Sequence, residues 1–282
     1  MGLFHASHTG TLGRVPQSFE SATALTPVDG GFAVDLDPGW DVGGGILNGG
    51  YLLAVVARAA VEASPHAHPV ALSASYLRAA TPGPATLAVT PGPAGRTLQH
   101  AVVVLSDATG PAVSVQVTTA TLHDVPADHQ VPPPAATPVE DCFSIAENAH
   151  LAPAGMPVPG MSQRVETRLD PLTAGWALGE FTDEPVIRAW VRFTDGRDPD
   201  PLGLVAFTDV LPPTSWATGR LGGAPTVLLQ TLVRAVPAPG WCLVEARGGE
   251  ASDGWVDEDY RVWDSTGRLV AQSRQLARLP RS

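Results

Sequence analysis

The sequence contains no lysine, and all 17 of its basic residues are arginines. The 28 acidic residues outnumber them, which gives a formal net charge of −11, and the arginines form no basic run. Proteins that bind the nucleic-acid backbone normally carry a stripe of basic side chains. We therefore expect no nucleic-acid partner, and we attribute the missing lysine to codon usage rather than to selected chemistry.

Cysteine is nearly absent and long apolar runs are missing. Cys142 and Cys242 are too few for a disulfide framework and lack the spacing of a metal site. No apolar stretch approaches the roughly 20 residues that span a bilayer, and residues 1–14 carry no signal-peptide pattern. We expect a soluble, cytoplasmic protein that has no membrane partner and needs no metal or other cofactor.

Three classes of site lack their motifs. No Gly-x-Ser-x-Gly sequence is present, and the glycines at 43–45 lack the spacing and the lysine of a phosphate-binding loop. His66 and His68 could pair on a strand, but the flanking prolines favour a surface turn without a third metal ligand. These absences argue against serine hydrolysis on an α/β sheet, nucleotide triphosphate binding and metal binding.

The composition is that of a folded globular protein. Hydrophobic residues make up 44% of the chain and charged residues 16%, while 29 glycines and 28 prolines predict many turns. Eight of the prolines fall within residues 124–160, which show little periodic hydrophobicity. We interpret this stretch as an irregular linker between a first domain, residues 1–123, and a second, residues 161–282.

The two domains share sequence landmarks. SASYLRA at 73–79 and DATG at 107–110 in the first domain correspond to LQTLVRA at 229–235 and DSTG at 264–267 in the second. The offsets between matched pieces are 156 and 157 residues. Two matches at nearly one offset indicate an internal repeat, although either match alone would be at chance level.

Each domain combines an apolar helix with antiparallel strands. In the first domain, β-branched runs at 69–80, 84–91, 97–106 and 111–122 are separated by turn signals, and both domains end in a hairpin around a Thr-Gly pair. A buried helix is predicted at 49–64, and its counterpart at 201–218 should break at Pro212-Pro213. These elements predict an α+β fold: two repeats, each a long helix wrapped by a curved antiparallel sheet, with the sheets paired edge to edge.

GGGILNGGYLLAVVARAA at the first helix and WDSTGRLVAQSRQLARL near the end of the chain resemble the double hotdog acyl-CoA thioesterases of the type II family. The resemblance covers nearly the whole chain except the linker. It implies hydrolysis of acyl-CoA by one water held between an Asp, a Ser or Thr, and a Gln of the second repeat. The matching residues are Asp209, Thr226 and Gln275, with Thr231 as a second choice for the hydroxyl.

The sequence departs from the family pattern close to Thr226. Family members often carry an Asp-His pair two and three positions after the hydroxyl residue, where this chain has Leu228 and Leu229. That difference puts the range of substrates in doubt more than the catalytic step.

The three residue types suit thioester hydrolysis. A partly buried carboxylate at Asp209 can remove one proton from water, a contribution of about 10²- to 10⁴-fold, while Thr226 and Gln275 hold the water in the line of attack. Each residue also has a purely structural alternative. Asp209 could cap a helix or lie at the surface, Gln275 could face solvent, and Thr226 could be present only because threonine is common in strands.

The start of the first helix offers backbone donors for the thioester carbonyl. Asn48 is the expected N-cap, and Gly49 and Gly50 would let a substrate approach the main chain closely. The same glycines could instead serve only helix-to-sheet packing. Since the first repeat offers only Asn48 at this place, we expect a single active site.

Two other functions remain open from the sequence. The chain could bind acyl-CoA or another apolar ligand without catalysis, a reading motivated by Leu228 and Leu229. A hotdog dehydratase would need a His on the central helix, and neither predicted helix contains one. Open sheet edges further predict a homodimer or a higher homo-oligomer.

Overall fold

The computed structural model describes residues 18–147 and 159–279. The expectation drawn from residues 1–14 and the centre of the predicted linker, residues 148–158, lie outside the described residues. The helices are α1 (Phe19–Ala22), α2 (Gly49–Glu62) and α3 (Pro201–Phe207). The strands up to the linker are β1 (Thr26–Val28), β2 (Gly31–Leu36), β3 (His68–Tyr76), β4 (Gly83–Pro91), β5 (Leu98–Asp107) and β6 (Gly110–Ala120). The later strands are β7 (Phe143–Ser144), β8 (Val165–Leu169), β9 (Val186–Phe193), β10 (Thr226–Val233), β11 (Cys242–Ser252), β12 (Trp255–Trp263) and β13 (Leu269–Arg278).

One antiparallel sheet contains all the strands of the described residues. Its order is β1-β2-β4-β5-β6-β3-β10-β13-β12-β11-β9-β8-β7. Helices α2 and α3 pack against each other and against the same face of the sheet, which we call the inward face. A single hydrophobic core under this face joins both halves of the chain. None of the described helices is long and apolar enough to cross a bilayer.

The first half follows the sequence prediction closely. Strands β3 to β6 lie within one to four residues of the predicted limits, and β5 and β6 form the expected hairpin at Asp107 and Gly110. Helix α2 starts after Asn48, whose side-chain oxygen accepts from the Tyr51 N–H at 2.8 Å, which confirms the predicted N-cap. The helix ends at Glu62, shortly before Pro65, because a proline disfavours helical geometry in the residue before it.

The long helix predicted for the second half is wrong. Helix α3 has only seven residues and ends at Phe207, well before Pro212. Thr208 is the C-cap residue, with its side-chain hydroxyl bonded to the Val205 carbonyl, and the two prolines downstream prevent the helix from resuming. The chain then leaves the helix axis and crosses the inward face of the sheet as an irregular segment.

The two halves join edge to edge, as the sequence predicted, and the joining strands β3 and β10 lie at the centre of the complete sheet. Strands β3 and β10 pair antiparallel, with Ser73 opposite Gln230. These two residues are 157 positions apart, the same offset as the DATG and DSTG turns. Each strand also carries a register irregularity at the same place, after Pro69 in β3 and after Thr226 in β10. The sheet is therefore centred on a pseudo-two-fold axis through this pair.

The described part of the predicted linker is packed against the protein. The indole N–H groups of Trp263 and Trp190 donate to the carbonyl oxygens of Val131 and Thr137, each at 2.9 Å. Trp263 is only 1% exposed, since the linker covers it on the outward face of the sheet. The segment is irregular apart from one turn of 3₁₀ helix and the two-residue strand β7.

Candidate active site

The segment that follows α3 carries Asp209 across the inward face of β13 and β12. The Ser273 hydroxyl on β13 donates to the Thr208 carbonyl at 2.8 Å. Further along, the Thr214 N–H donates to the Glu258 carboxylate on β12 at 2.6 Å. These contacts fix the segment at both ends and place Asp209 over the middle of the second half's sheet.

The Asp209 carboxylate is bound to the start of α2. Its Oδ2 accepts from the Gly50 N–H at 2.8 Å and from the Asn48 side-chain amide at 3.4 Å. The same amide donates to the Asp209 carbonyl at 2.8 Å. A helix N-terminus favours negative charge, so this end of α2 is well suited to hold the carboxylate. No hydrogen bond engages the other oxygen, Oδ1, within the described ranges of the chain.

The two glycines at the start of α2 are needed for this approach. A Cβ atom at Gly49 would lie 2.8 Å from Asp209 Oδ2, and one at Gly50 would lie 2.7 Å from the Ala206 carbonyl oxygen. Both distances are shorter than a normal contact. The glycines therefore make room for the carboxylate of the second half.

Burial and neighbouring charge raise the pKa of Asp209 to about 7. The largest cause is desolvation, which disfavours the ionised form, and the charge of Glu258 adds to it. The Gly50 hydrogen bond acts in the opposite direction. Tyr76 lies beside the carboxyl, with its hydroxyl donating to the Gly49 carbonyl at 2.7 Å, and burial raises its pKa well above the ordinary value. Asp209 is therefore poised to exchange a proton near neutral pH.

Thr226 and Gln275 are in direct contact. The Thr226 hydroxyl donates to Gln275 Oε1 at 2.9 Å. Gln275 is 5% exposed and faces inward on β13, so the solvent-facing alternative for this residue is wrong. The second choice for the hydroxyl, Thr231, is fully buried and bonds to Thr208 at 3.2 Å. Of the two threonines, only Thr226 bonds the glutamine among the described residues.

Glu258 is not among the site residues predicted from the sequence, yet the structure brings it into this network. Glu258 is 0% exposed, and its carboxylate accepts from the side-chain amide of Gln275. A signal was present, because the alternating pattern of β12 places Glu258 on the same face as Val256, Tyr260 and Val262. A charged residue on an apolar strand face marks a polar site.

The backbone donors of α2 are only partly available. The Gly50 N–H is engaged by Asp209 and the Tyr51 N–H by Asn48. Only the Gly49 N–H, among the first three of the helix, has no hydrogen-bond partner in residues 18–147 and 159–279. The predicted trio of Asn48, Gly49 and Gly50 thus divides into two residues that hold the acid and one that retains a donor.

The register of the sheet shows what the first half has at the equivalent positions. In the second half, Leu229 on β10 is opposite Gln275, which is in turn opposite Glu258. In the first half, Leu72 on β3 is opposite Val117, and Val117 is opposite Ala101. The position equivalent to Thr226 is Pro69. Thr226 lies three residues before Leu229, as Pro69 does before Leu72, and the register of each strand shifts directly after this position. The polar residues are therefore replaced by apolar ones in the first half.

No cluster of three or more metal-ligating side chains occurs within the described part of the chain. His66 is buried, with Nε2 3.0 Å from the Gly95 carbonyl, and His68 begins β3 and accepts from the Leu122 N–H at 3.0 Å. The predicted turn is present at His66, between α2 and β3, but the side chain is buried there, and His68 belongs to the strand instead of the turn. Their rings are occupied by contacts with the backbone of the first half.

The sequence matches two family profiles in tandem. The profile of the acyl-CoA thioesterase N-terminal domain matches residues 36–121, and that of the acyl-CoA thioesterase C-terminal domain matches residues 131–279. The chain belongs to the acyl-CoA thioesterase family. In this member of the family the C-terminal match contains Asp209, Thr226 and Gln275, whereas the N-terminal match contains Asn48, Gly49 and Gly50.

Relatives and solved structures agree with this assignment. Uncharacterized proteins of Mycobacterium tuberculosis and Mycobacterium bovis are 33% identical over 290 residues, covering 93% of this chain and 98% of theirs. A candidate thioesterase II from Thermobifida fusca superposes with a TM-score of 0.85 at 34% identity, covering 95% of this chain and all of the other. A hot dog fold protein from Alicyclobacillus acidocaldarius has a TM-score of 0.81 at 21% identity, covering 95% and 100% of the two chains, and is similar in fold alone.

Proposed function

We propose that this thioesterase hydrolyses acyl-CoA to a free acid and CoA at a single site built around Asp209, Thr226 and Gln275. The observation that carries the proposal is the Asp209 carboxylate, with a pKa raised to about 7 and one oxygen held by the Gly50 N–H. A carboxylate in that state is a suitable general base at neutral pH. Membership of the family supports acyl-CoA as the substrate class, and the contacts of the three side chains support the roles that we propose for them.

The proposed step starts with a water between Asp209 and Thr226. Asp209 Oδ1 takes one proton of the water as the oxygen attacks the thioester carbonyl carbon. The Thr226 hydroxyl already donates to Gln275, so its lone pairs accept the water's second hydrogen. The carbon–sulfur bond then breaks, and the departing CoA thiolate takes the proton from Asp209. Proton and electron pair are balanced, and the enzyme returns to its starting state.

The carbonyl oxygen gains negative charge in this step and needs a donor. We assign this role to the Gly49 N–H at the start of α2, where the positive end of the helix dipole adds to the stabilisation. Asn48 and Gly50 serve the site indirectly by holding Asp209. Loss of one such donor in other enzymes costs about 10²- to 10³-fold in rate.

The direct test is the release of CoA from a series of acyl-CoA thioesters, followed with a thiol reagent. The Asp209→Asn variant keeps the shape of the side chain but cannot accept the proton, so we expect kcat to fall by about 10²- to 10⁴-fold. The Asp183→Asn variant is the matched control, because Asp183 is exposed. Failure of the wild-type chain to hydrolyse any thioester would overturn the proposal.

One observation supports the binding alternative. The contacts of Asp209 with Asn48 and Gly50 would also describe an acid that only caps a helix. Titration calorimetry with acyl-CoA separates the two functions. Binding without turnover, unchanged in Asp209→Asn, would favour a ligand-binding protein.

Self-association and a cytoplasmic location stay predictions. The edges of the sheet are the short strands β1 and β7, of three and two residues, so edge pairing offers few hydrogen bonds. Sedimentation equilibrium tests the homodimer by a mass of twice the 29.2 kDa chain.

A further inference from the structure

Glu258 is a buried carboxylate with a specific set of partners. Its Oε1 accepts from the backbone N–H and the hydroxyl of Thr214, both at 2.6 Å, and its Oε2 accepts from Gln275 Nε2. No salt bridge reaches it from the described residues. The opposite residue on β11 is Gly248, where a Cβ would lie 2.6 Å from the Thr214 hydroxyl. Burial of a carboxylate without a cationic partner is costly, and the hydrogen bonds from Thr214 and Gln275 compensate for that cost at Glu258.

The fold itself does not require this carboxylate. The equivalent position in the first half is Ala101, opposite Val117, and the same sheet forms there with two apolar residues. Glu258 and Gln275 therefore occupy positions where the first half of the sheet has the apolar pair Ala101 and Val117. One oxygen of Glu258 holds Thr214, and with it the segment that carries Asp209, while the other oxygen acts on Gln275.

The carboxylate determines which way the Gln275 amide points. Both oxygens of the Glu258 carboxylate act as acceptors, one for the Thr214 donors and the other for Gln275, which therefore turns its NH₂ group towards Glu258. The amide carbonyl then faces Thr226, and the threonine hydroxyl must donate to it. As a result, the lone pairs of Thr226 are left to accept a hydrogen from a third group.

We propose that Glu258 is a positioning residue of the thioesterase site, which orients the Gln275 amide so that Thr226 accepts a hydrogen of the attacking water. This inference rests on the proposed function and adds a residue to it. Glu258 touches neither the water nor the thioester, and it acts through Gln275 and Thr226. The Thr214 N–H and hydroxyl hold the far side of the carboxylate in place.

Glu258→Gln is the sharpest variant. Its carbonyl must face the two Thr214 donors, so its NH₂ group faces Gln275 and forces that amide to turn over. Thr226 then meets an NH₂ group and loses the acceptor for its proton. We expect kcat to fall about tenfold to a hundredfold, with KM within about threefold of the wild-type value.

The control is Asp259→Asn on the neighbouring position of the same strand, which faces outward. We expect this variant to keep the wild-type kcat. A kcat of Glu258→Gln within about twofold of wild type, or an equal loss in Asp259→Asn, would overturn the inference. An inactive wild-type chain would instead mean that the proposed function has failed.

A second measurement does not depend on turnover. In ¹H–¹⁵N spectra of the free protein, with Gln275→Ala for assignment, one side-chain amide proton of Gln275 should be shifted downfield and protected from exchange. Glu258→Gln should return it towards the position of an ordinary amide. If that variant fails to fold, the wild-type signal decides: two rapidly exchanging amide protons at ordinary positions would refute the contact.

Discussion

The backbone N–H of Gly50 donates to the carboxylate of Asp209 at 2.8 Å, although the two residues are 159 positions apart. A helix of the first half thus holds the proposed base of the second half. Each half supplies something that the other lacks: Gly50 provides a helix terminus without a Cβ, and Asp209 provides the acid. This arrangement supports the single site that we propose, and it leads to four predictions.

The rate of hydrolysis should depend on the ionisation of Asp209. Because burial and the charge of Glu258 raise its pKa to about 7, the base is protonated and inactive at lower pH. We expect kcat/KM to rise about tenfold per pH unit below that value and to level off above it. Rates measured from about pH 5 to 9, with folding checked by circular dichroism, test this. A flat profile below pH 7 would rule out Asp209 as the base.

Asp209→Asn should stabilise the protein at neutral and alkaline pH. The folded-state pKa is raised from 3.8 to about 7, so the wild-type stability falls as pH rises through this window. At about 1.4 kcal/mol per pKa unit, the cost is a few kcal/mol above pH 7 and vanishes below pH 4. Asn has no such cost, and its carbonyl can still accept from Gly50. Urea unfolding at about pH 8 and pH 4 should show a stability gain only at the higher pH.

Gly50→Ala should impair the site despite the higher helix propensity of alanine. The new Cβ would lie 2.7 Å from the Ala206 carbonyl oxygen and 3.0 Å from Asp209 Cβ. Alanine favours a helix by about 1 kcal/mol over glycine, but the contact displaces the base, and about 1 Å of displacement costs roughly 10²-fold in rate. Gly223→Ala is the control, since nothing lies within 4 Å of its Cβ position. Equal activity of the two variants would contradict the proposed geometry.

Thr226→Val should lower kcat more than Thr231→Val. Both changes remove one hydroxyl from the same strand at nearly constant volume. Thr226 bonds Gln275, whereas Thr231 bonds Thr208 in the core. We expect a loss of about tenfold or more for the first and less than about threefold for the second, with comparable small effects on unfolding. The reverse order would assign the water-binding hydroxyl to Thr231.

The sequence predicted what depends on local pattern. Alternating apolar residues located strands β3 to β6, and Asn48 marked the start of α2. The repeat landmarks gave offsets of 156 and 157 residues, and the middle pair of β3 and β10, Ser73 and Gln230, is 157 residues apart. The end of α3 was missed because the helical pattern continues as far as Pro212, whereas in the structure the helix ends at Phe207 and the Thr208 carbonyl bonds Ser273 on the sheet.

The amino-acid sequence by itself determined strands β3 to β6, helix α2, the closing hairpin, the duplication and the family, because each is encoded in neighbouring residues or in motifs. Only the tertiary structure decided which polar groups meet. Glu258 reaches Gln275 across two strands, and Asp209 reaches Gly50 across the two halves. Such contacts depend on strand register and helix packing, which bring together residues that no local period connects.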